Sequence, residues 1–454
     1  MTAVTVIGCG PAAHRLVQRL HHHGHRGPVT VLGAEPEPAY NRALLVSALD
    51  GTLRARDLTL APFPPGVRVR TGTRAVAVDR RRRLVRGDDG SEHPYDVLVL
   101  ATGSRAALPR LTGAGGRSAP DVRVPRTLAE ARPVGKGPVV VAGGGLRGVE
   151  TAYALGRAGH HVTLVHPGAH PMHRLLDERA GALLAAALRD AGVVPETGRR
   201  VTGVEPGKAV LDDGRPLAAG TLLLCTGARP DTALARDAGL AVRHGVVVDD
   251  RLRTSDPDVY ALGDCAEHPG CHATLASAWE QADALARTLT GGDGRLRPAR
   301  HVVRPRLSGL DIAVVGPPGA LHAPDDGEQV VLSDPARGRY GRLVLHDGRV
   351  HAGVLVRLPR AVATVGQLYA EDRPLPADRL ALLLGTGGEY AESAELPDTA
   401  VVCQCNNVTK KGLEQAWRSG ARDLPSIAAA TRATTGCGSC AALVRQVCEG
   451  LAPA

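Results

Sequence analysis

The sequence of 454 residues is poor in lysine, in aromatic residues and in long apolar runs. Four lysines stand among 55 basic residues, and aromatic side chains make up 2% of the chain, so the net charge of +9 comes without a platform on which bases stack. No apolar run approaches the roughly 18–20 residues of a membrane-spanning helix. The amino terminus lacks the charged region, apolar region and cleavage site of a secretory signal. These absences disfavour nucleic-acid binding, membrane insertion and secretion, and they predict a cytoplasmic protein.

Two local clusters of basic or imidazole side chains are interpreted as solvated surface. Arg80–Arg83 lies between two strand-like stretches and is expected at the tip of a hairpin. His21, His22, His23 and His25 fall where a helix should turn into a strand, with no carboxylate beside them, so a metal site is not predicted there.

A chain of this length, with 43% hydrophobic and 22% charged residues, is expected to form two to four globular domains.

The first chemical motif is a glycine-rich turn between a strand and a helix. Residues 3–7 form an apolar, β-branched run, and Gly8, Gly10 and Ala13 follow it in the pattern G-x-G-x-x-A. The first glycine permits the turn, the second admits a pyrophosphate close to the backbone, and the small third residue allows helix–strand packing. The acidic residue expected about 20 positions further on is Glu35. The pattern predicts a dinucleotide site.

The same pattern occurs a second time. An apolar strand at residues 138–142 leads into a turn that contains Gly143, Gly145 and Gly148, and a helix and another strand follow. The position of the acidic ribose ligand holds His166, which does not decide between NAD and NADP. Two complete glycine-turn motifs in one chain indicate dinucleotide binding far more specifically than one motif does.

Three further turns follow buried strands. Thr102 and Gly103 end one strand, and a similar Thr-Gly turn closes at Gly227. A third strand ends in Gly263 and Asp264. A glycine allows close approach there, and the carboxylate is suited to accept hydrogen bonds from a ribityl hydroxyl.

The nine cysteines are unevenly spread, with five in the last 52 residues. Cys403 and Cys405 form a C-x-C pair, and Cys437 and Cys440 form a C-x-x-C pair. In a chain without a signal peptide, such a cluster favours metal binding or redox chemistry over a disulfide framework. Four thiolates suit an iron–sulfur centre, and zinc and a catalytic dithiol are the alternatives. Cys448 lies outside the pattern and is expected to be a buried helix thiol.

In their order, these motifs resemble those of oxidoreductases with two dinucleotide folds that use FAD and NAD(P)H. Residues 38–42, 122–128 and 166–177 narrow the resemblance to the flavoprotein half of NAD(P)H nitrite reductase large subunits and to the electron-transfer subunit of assimilatory nitrate reductase. The carboxyl-terminal cysteines resemble those of a bacterioferritin-associated ferredoxin-like [2Fe-2S] domain. The resemblance covers essentially the whole chain.

The resemblance implies an α/β fold with two Rossmann-like domains, a small α+β domain and a small, mostly helical [2Fe-2S] module. The implied boundaries are residues 1–112 and 236–292 for FAD, 113–235 for NAD(P), 293–370 for the α+β domain, 371–398 for a linker and 399–454 for the module.

The resemblance also implies which residues hold each cofactor, with no residue required as a general base or nucleophile. The expected FAD ligands are Gly8, Gly10, Ala13, Glu35, Arg42, Thr102, Gly103, Gly263 and Asp264. The expected nicotinamide-cofactor ligands are Gly143, Gly145, Gly148 and Glu150. The expected cluster ligands are Cys403, Cys405, Cys437 and Cys440. Relatives frequently carry a flavin-proximal lysine where this chain has Val46 and Ser47. A helix that begins with Trp279, Glu280 and Gln281 is expected to face the flavin with its amino terminus.

The function implied is electron transfer from NAD(P)H through FAD and a [2Fe-2S] cluster to a separate redox partner, a nitrate or nitrite reductase catalytic subunit. The chain ends 14 residues after Cys440, without sirohaem or [4Fe-4S] domains, so it is not expected to reduce nitrite by itself. A disulfide reductase is disfavoured because residues 36–60 contain no cysteine. An amino-acid or opine dehydrogenase subunit, a general ferredoxin or rubredoxin reductase and a redox sensor remain alternatives. The oligomeric state is left open.

Overall fold

The computed structural model of the chain describes residues 2–113, 119–322, 327–385, 398, 400–403, 406, 408–435 and 440–451. Two parallel sheets, one antiparallel sheet and a carboxyl-terminal group of helices dominate these ranges, which confirms the predicted α/β class. None of the helices within them combines the length and the apolarity required to cross a bilayer.

The first parallel sheet begins with the apolar run at the amino terminus. The elements of residues 4–106 are β1 (Val4–Ile7), α1 (Pro11–His22), β2 (Val29–Gly33), α2 (Leu45–Leu49), β3 (Val67–Thr71), β4 (Ala75–Asp79), β5 (Leu84–Gly87), β6 (Glu92–Pro94), β7 (Val97–Leu100) and β8 (Ser104–Ala106), with 3-10 turns at Arg42–Leu44 and Ala55–Leu58. Strand β1 is buried throughout, as is usual where both faces of a parallel sheet are covered. It pairs with β2 and β7, so Val4 lies opposite Val29 and Val97.

The second parallel sheet repeats this plan. The elements of residues 121–237 are β9 (Asp121–Arg123), β10 (Val139–Ala142), α3 (Leu146–Arg157), β11 (Val162–His166), α4 (Glu178–Asp190), β12 (Val193–Thr197), β13 (Val201–Glu205), β14 (Lys208–Leu211), β15 (Pro216–Ala218), β16 (Thr221–Leu224), β17 (Ala228–Pro230) and α5 (Ala233–Asp237). The strand order is β12-β11-β10-β16-β9. Strand β17 pairs with β8, which joins the segments that connect the two sheets.

The chain then returns to the first sheet. The elements of this return are β18 (Val246–Val247), β19 (Val259–Ala261), a 3-10 turn at Gly263–Cys265, β20 (Ala266–Glu267) and α6 (Leu275–Leu289). Strand β19 pairs in parallel with β7, which gives the order β19-β7-β1-β2-β3. Helices α1 and α6 pack together, and Arg15 and Asp283 form an ion pair at 2.8 Å between them. Because the carboxyl ends of parallel strands share one edge, the turns after β1 and β19 come together.

An antiparallel sheet follows and packs on the second parallel sheet. Its elements are β21 (Ile312–Val315), β22 (Glu328–Asp334), a 3-10 turn at Pro335–Arg337, β23 (Arg339–His346), β24 (Arg349–Val356), α7 (Pro359–Ala370) and α8 (Arg379–Leu384). One face shares a hydrophobic core with α3 and α4, and α7 covers the other face. The hydroxyl of Tyr340 also donates to Asp177, the amino-terminal cap of α4, at 2.6 Å.

The carboxyl-terminal module is small and mostly helical, as predicted. Its elements are β25 (Val401–Cys403), β26 (Val408–Thr409), α9 (Lys410–Arg418), α10 (Leu424–Thr431) and α11 (Ala441–Leu451). Helix α10 begins with a capping box of Asp423 and Ser426, a local motif that can be recognised in the sequence. The predicted boundaries between domains stay a prediction, and the predicted linker at 371–398 contains helix α8.

Candidate cofactor sites

The first glycine turn is shaped for a ligand that approaches the backbone closely. Gly8 has a φ of +115°, and a Cβ placed on it would lie 2.1 Å from the carbonyl oxygen of Ala101. Gly10 precedes α1 and contributes no side-chain cap, so the first amides of the helix face the space beside the turn. Ala13 is fully buried against the strand. The cradle fits a pyrophosphate held by backbone N–H groups.

Gly8→Ala should therefore cost more stability than a glycine substitution that meets no neighbour. The close approach and the positive φ together predict a loss of roughly 3 kcal/mol. For a domain of about 200 residues this lowers the melting temperature by about 6–12 °C. Thermal release of flavin fluorescence measures it. Gly24→Ala is the control, because Gly24 also has a positive φ (+79°) but has no atom within 4 Å of an added Cβ. Equal losses in both variants would contradict the close contact.

Glu35 and Arg42 lie in one hydrogen-bonded group with Tyr40. The Tyr40 hydroxyl donates to Glu35 Oε2 at 2.6 Å, and Arg42 forms an ion pair with the other carboxylate oxygen. Arg42 also donates to the Tyr40 hydroxyl at 2.7 Å, and burial raises the pKa of that phenol. A Cβ on Gly10 would lie 3.7 Å from Arg42 Nε. The guanidinium therefore lies next to the glycine turn, where it suits a phosphate.

Asp264 lies at the same sheet edge as the glycine turn. A Cβ on Gly263 would lie 3.2 Å from the Cβ of Ala12 in α1. Ser104 Oγ donates to Asp264 Oδ2 at 2.8 Å. The backbone N–H of Gly263 donates to Oε1 of the buried Gln281 at 2.7 Å, so α6 fixes the Gly-Asp turn through Gln281.

Thr102 and Gly103 take part in the crossing between the two parallel sheets. The Thr102 hydroxyl donates to the carbonyl of Asp231 at 2.7 Å, and the carbonyl of Gly103 accepts from the N–H of Asp231 at 2.9 Å. Their role as cofactor ligands stays a prediction. Helix α6 begins at Leu275, earlier than predicted, so the partly buried Trp279 lies within the helix and not at its amino terminus. The next residue, Glu280, lies 3.2 Å from a ring nitrogen of His301.

The second glycine turn repeats the geometry of the first. A Cβ on Gly143 would lie 2.3 Å from the carbonyl oxygen of Cys225, and one on Gly148 would lie 1.7 Å from the carbonyl of Gly143. Gly145 differs, because a Cβ there would meet nothing within 4 Å. It precedes α3 without a side-chain cap. The open space at Gly145, beside the first amides of α3, fits a second pyrophosphate.

His166 stabilises the second glycine turn as a neutral ring. Its Nδ1 accepts from the N–H of Gly144 at 3.1 Å, and its Nε2 lies 2.8 Å from Nδ1 of His173. Burial first, and then His173, lower the pKa of His166 to about 4. The neutral ring therefore carries its proton on Nε2 and donates it to His173. Because a histidine occupies the position of the acidic ribose ligand, this position does not decide between NAD and NADP.

Glu150 lies at the junction of three parts of the chain. It is 4% exposed, and Arg306 donates to its two carboxylate oxygens at 2.6 and 3.2 Å. Arg306 stands before β21 and also donates to the carbonyl of Ala43, in the first part of the chain. Glu150 is therefore paired with a cation from the chain itself, and its predicted contact with the nicotinamide cofactor stays a prediction.

The sequence reasoning missed the arginines between the two glycine turns. Arg126 donates to Ser104 Oγ at 2.5 Å, and Arg147 donates to the carbonyl of Pro125 at 2.8 Å. Burial lowers the pKa of both guanidinium groups. Arginine is so frequent in this chain that these two did not stand out. The weak signal was the position of Arg147, inside the second glycine turn.

Two of the four predicted cluster ligands are described. Cys403 ends β25 and Cys440 directly precedes α11, and both are buried. Cys405 and Cys437 lie outside the described residues. A pair of buried thiols on one small module fits part of a thiolate donor set. Cys448 is buried in α11 as expected, and burial raises the pKa of its thiol.

Residues 2–284 match the family described as pyridine nucleotide-disulphide oxidoreductase, and residues 401–449 match the BFD-like [2Fe-2S] binding domain. The chain is 32% identical to the nitrite reductase [NAD(P)H] large subunit of Klebsiella oxytoca, with 98% of this chain and 48% of that protein covered. It is 27% identical to the assimilatory nitrate reductase electron transfer subunit of Bacillus subtilis (strain 168), over 98% of this chain and 59% of that protein.

Among solved structures, the covalent putidaredoxin reductase–putidaredoxin complex aligns with a TM-score of 0.75 at 27% identity. The alignment covers 86% of this chain and 99% of that one. The chain spans about half the length of the curated nitrite reductases that it matches.

Proposed function

We propose, from the premise that this chain belongs to the pyridine nucleotide-disulphide oxidoreductase family, that it delivers electrons to the catalytic part of an assimilatory nitrate or nitrite reductase. NAD(P)H is the donor, and FAD and a [2Fe-2S] cluster carry the electrons within the chain. The resemblance, oxidoreductase class and cofactor set that the sequence predicted are confirmed by the family matches. The proposal adds the acceptor and a cytoplasmic location, where NAD(P)H is replenished and cysteine thiols stay reduced.

The observation that carries the proposal is the convergence of two glycine turns within a chain that also holds a [2Fe-2S] module. In the proposal, the Gly8–Gly10 turn and Arg42 bind the FAD pyrophosphate, and Asp264 binds the ribityl chain. The turn at Gly145 and the amino terminus of α3 bind the pyrophosphate of the nicotinamide cofactor. FAD, when bound, converts a two-electron hydride donor into a source of single electrons.

The chain's own residues bind and orient these cofactors and supply positive charge between them. Arg126 and Arg147 lie around the junction of the two turns, where Arg42 and Arg306 are ion-paired with Glu35 and Glu150. Fixed guanidinium groups stabilise the negative charge of two dinucleotides held close together. Glu150 and Arg306 fix the distance between α3 and the segment at Ala43.

A thiol-based reduction is disfavoured by the environment of the described cysteines in this region. Burial raises the pKa of Cys9 and of Cys265, and it raises the pKa of Cys225 to about 11. Thiols of this kind are largely protonated near neutral pH and are weak nucleophiles. The [2Fe-2S] module supplies a different electron exit.

Reconstitution with a defined acceptor tests the proposal. Purified chain, NAD(P)H and a nitrate or nitrite reductase catalytic subunit from the same organism should consume nitrate or nitrite with matching oxidation of NAD(P)H. Each component omitted in turn should stop turnover. Putidaredoxin-type ferredoxins are the comparison acceptors, because the aligned solved structure is a reductase in complex with such a protein. Rapid reduction of ferredoxins with no turnover of either nitrogen oxyanion would make the chain a ferredoxin reductase instead.

A further inference from the structure

The carboxyl-terminal module packs against the first part of the chain. One hydrophobic cluster contains residues from both and defines what we call the docking surface. Its buried members on the first part include Tyr40, Leu44, Leu45, Ala48, Leu49 and Leu58, and those on the module include Val402, Cys403, Val408, Leu413, Ile427 and Val444. Buried apolar surface shared between two parts of a chain holds them together.

Arg432 provides two hydrogen bonds across this docking surface. Its Nη1 donates to the carbonyl of Thr59 at 2.5 Å, and its Nη2 donates to the carbonyl of Asp57 at 2.7 Å. Both carbonyls belong to the carboxyl end of the 3-10 turn Ala55–Leu58. A guanidinium satisfies such carbonyls well, because it carries paired donors and complements their partial negative charge.

Arg432 lies in a backbone conformation that usually favours glycine. The residue ends α10 with a φ of +64°, in the left-handed region. Glycine or asparagine is the usual choice there, because other side chains cost energy in this conformation. An arginine at this position retains its side chain against the local preference of the backbone.

Asn406 of the module contacts the first part of the chain. Asn406, which directly follows Cys405, donates through Nδ2 to the carbonyl of Arg432 at 2.7 Å. Nδ2 of Asn41 donates to Oδ1 of Asn406 at 3.3 Å across the docking surface. Asn41 immediately precedes Arg42, whose guanidinium lies next to Gly10.

We propose that Arg432 is a positioning residue that holds the [2Fe-2S] module docked with Asn406 against Asn41, so that electrons pass from flavin to cluster within one chain across this contact. The inference rests on the proposed function. Each hydride from NAD(P)H brings two electrons to the flavin. Two successive one-electron transfers to the cluster, each relayed to the acceptor, return the flavin to its oxidised state and release a proton.

Arg432→Gly is the decisive variant, because glycine suits the backbone conformation and removes only the side chain. Arg432→Asn is a second variant that tolerates the same conformation and lacks the reach. Arg357→Gly is the matched control, since Arg357 is exposed, has a φ of +53° and lies away from the docking surface. Hydrogen exchange of the amides at residues 55–59 measures docking, and anaerobic stopped-flow absorbance measures flavin and cluster reduction separately.

Both Arg432 variants should raise exchange at residues 55–59 and slow cluster reduction by about tenfold or more, the effect expected from losing hydrogen bonds to a charged group. The rate of flavin reduction by NAD(P)H should stay unchanged, and Arg357→Gly should match the wild type. Cluster reduction at the wild-type rate, or unchanged exchange, overturns the inference. A wild-type cluster that NAD(P)H never reduces overturns the proposed function itself, and this is seen before any variant is compared.

Discussion

Gly145→Asp should abolish reduction of the flavin by NAD(P)H while dithionite still reduces it. The substitution adds a carboxylate in open space at the amino terminus of α3, where the pyrophosphate of the nicotinamide cofactor is expected. Repulsion between like charges held this close costs several kcal/mol, so the apparent affinity for the nucleotide should fall at least about 100-fold. Titration with NAD(P)H under anaerobic conditions, followed by flavin absorbance, gives the result.

The geometry makes this variant a clean probe. A side chain at Gly145 meets no neighbour, and Gly145 has an ordinary φ of −76°, so the fold should survive. Gly135→Asp is the control, because Gly135 is equally free of neighbours, is exposed and receives the same charge ten residues upstream. Normal nucleotide-driven reduction in Gly145→Asp would show that the second turn does not hold the nicotinamide cofactor.

Cys440→Ser should remove the cluster and leave the flavin in place. Iron and acid-labile sulfide should fall from about two per chain to near zero, because a lost thiolate destabilises a centre with four cysteine ligands. The paramagnetic resonance signal of the reduced cluster should disappear. NAD(P)H should still reduce the flavin, whose proposed ligands lie in another part of the chain. Turnover with the protein acceptor should fall by about 100-fold or more, while artificial dyes still oxidise the flavin directly.

Cys448→Ser separates the loss of a ligand from the loss of a buried thiol. Cys448 is 8% exposed and Cys440 is 7% exposed, so the two substitutions disturb the packing of the module to a similar degree. Only Cys448 lies outside the C-x-C and C-x-x-C pattern, so the Cys448→Ser variant should keep its iron. Stoichiometric zinc without iron in anaerobically purified wild-type protein would refute the electron exit and make the module a structural unit.

The sequence was sufficient where the determining contacts are local. Each glycine turn, the strand before it and the helix after it lie within about 20 residues, and a short pattern states both the backbone conformation and the anion site. The positions of Gly8 and Gly143 in the structure follow from that pattern. Parallel pairing then brought the turns of one sheet to one edge, which the order of strands and helices already implied.

The sequence was insufficient where a contact joins distant segments. Arg306 and Glu150 are 156 positions apart, and Arg432 and Asp57 are 375 positions apart. No periodicity links such pairs, and arginine is too common here for any single one to draw notice. The resemblance indicated that a flavin-proximal lysine is missing from this chain. It did not predict that Arg306, which follows the second sheet in sequence, contacts Glu150 and the carbonyl of Ala43. Docking of the module was hidden for the same reason.

The pairing of Glu150 with Arg306 sets a lower limit on how far the chain can be shortened. A fragment cut after α6 would lose Arg306, the cation of Glu150, and would expose the apolar faces of α3 and α4 that pack on the antiparallel sheet. Apolar surface returned to water costs roughly 25 cal/mol per Å², so even a modest area removes a large share of the stability of a domain. A truncation or gene fusion that removes the antiparallel sheet should therefore destabilise the protein. The smallest self-sufficient flavoprotein obtainable from this sequence has to extend past Arg306 and include the sheet that anchors it.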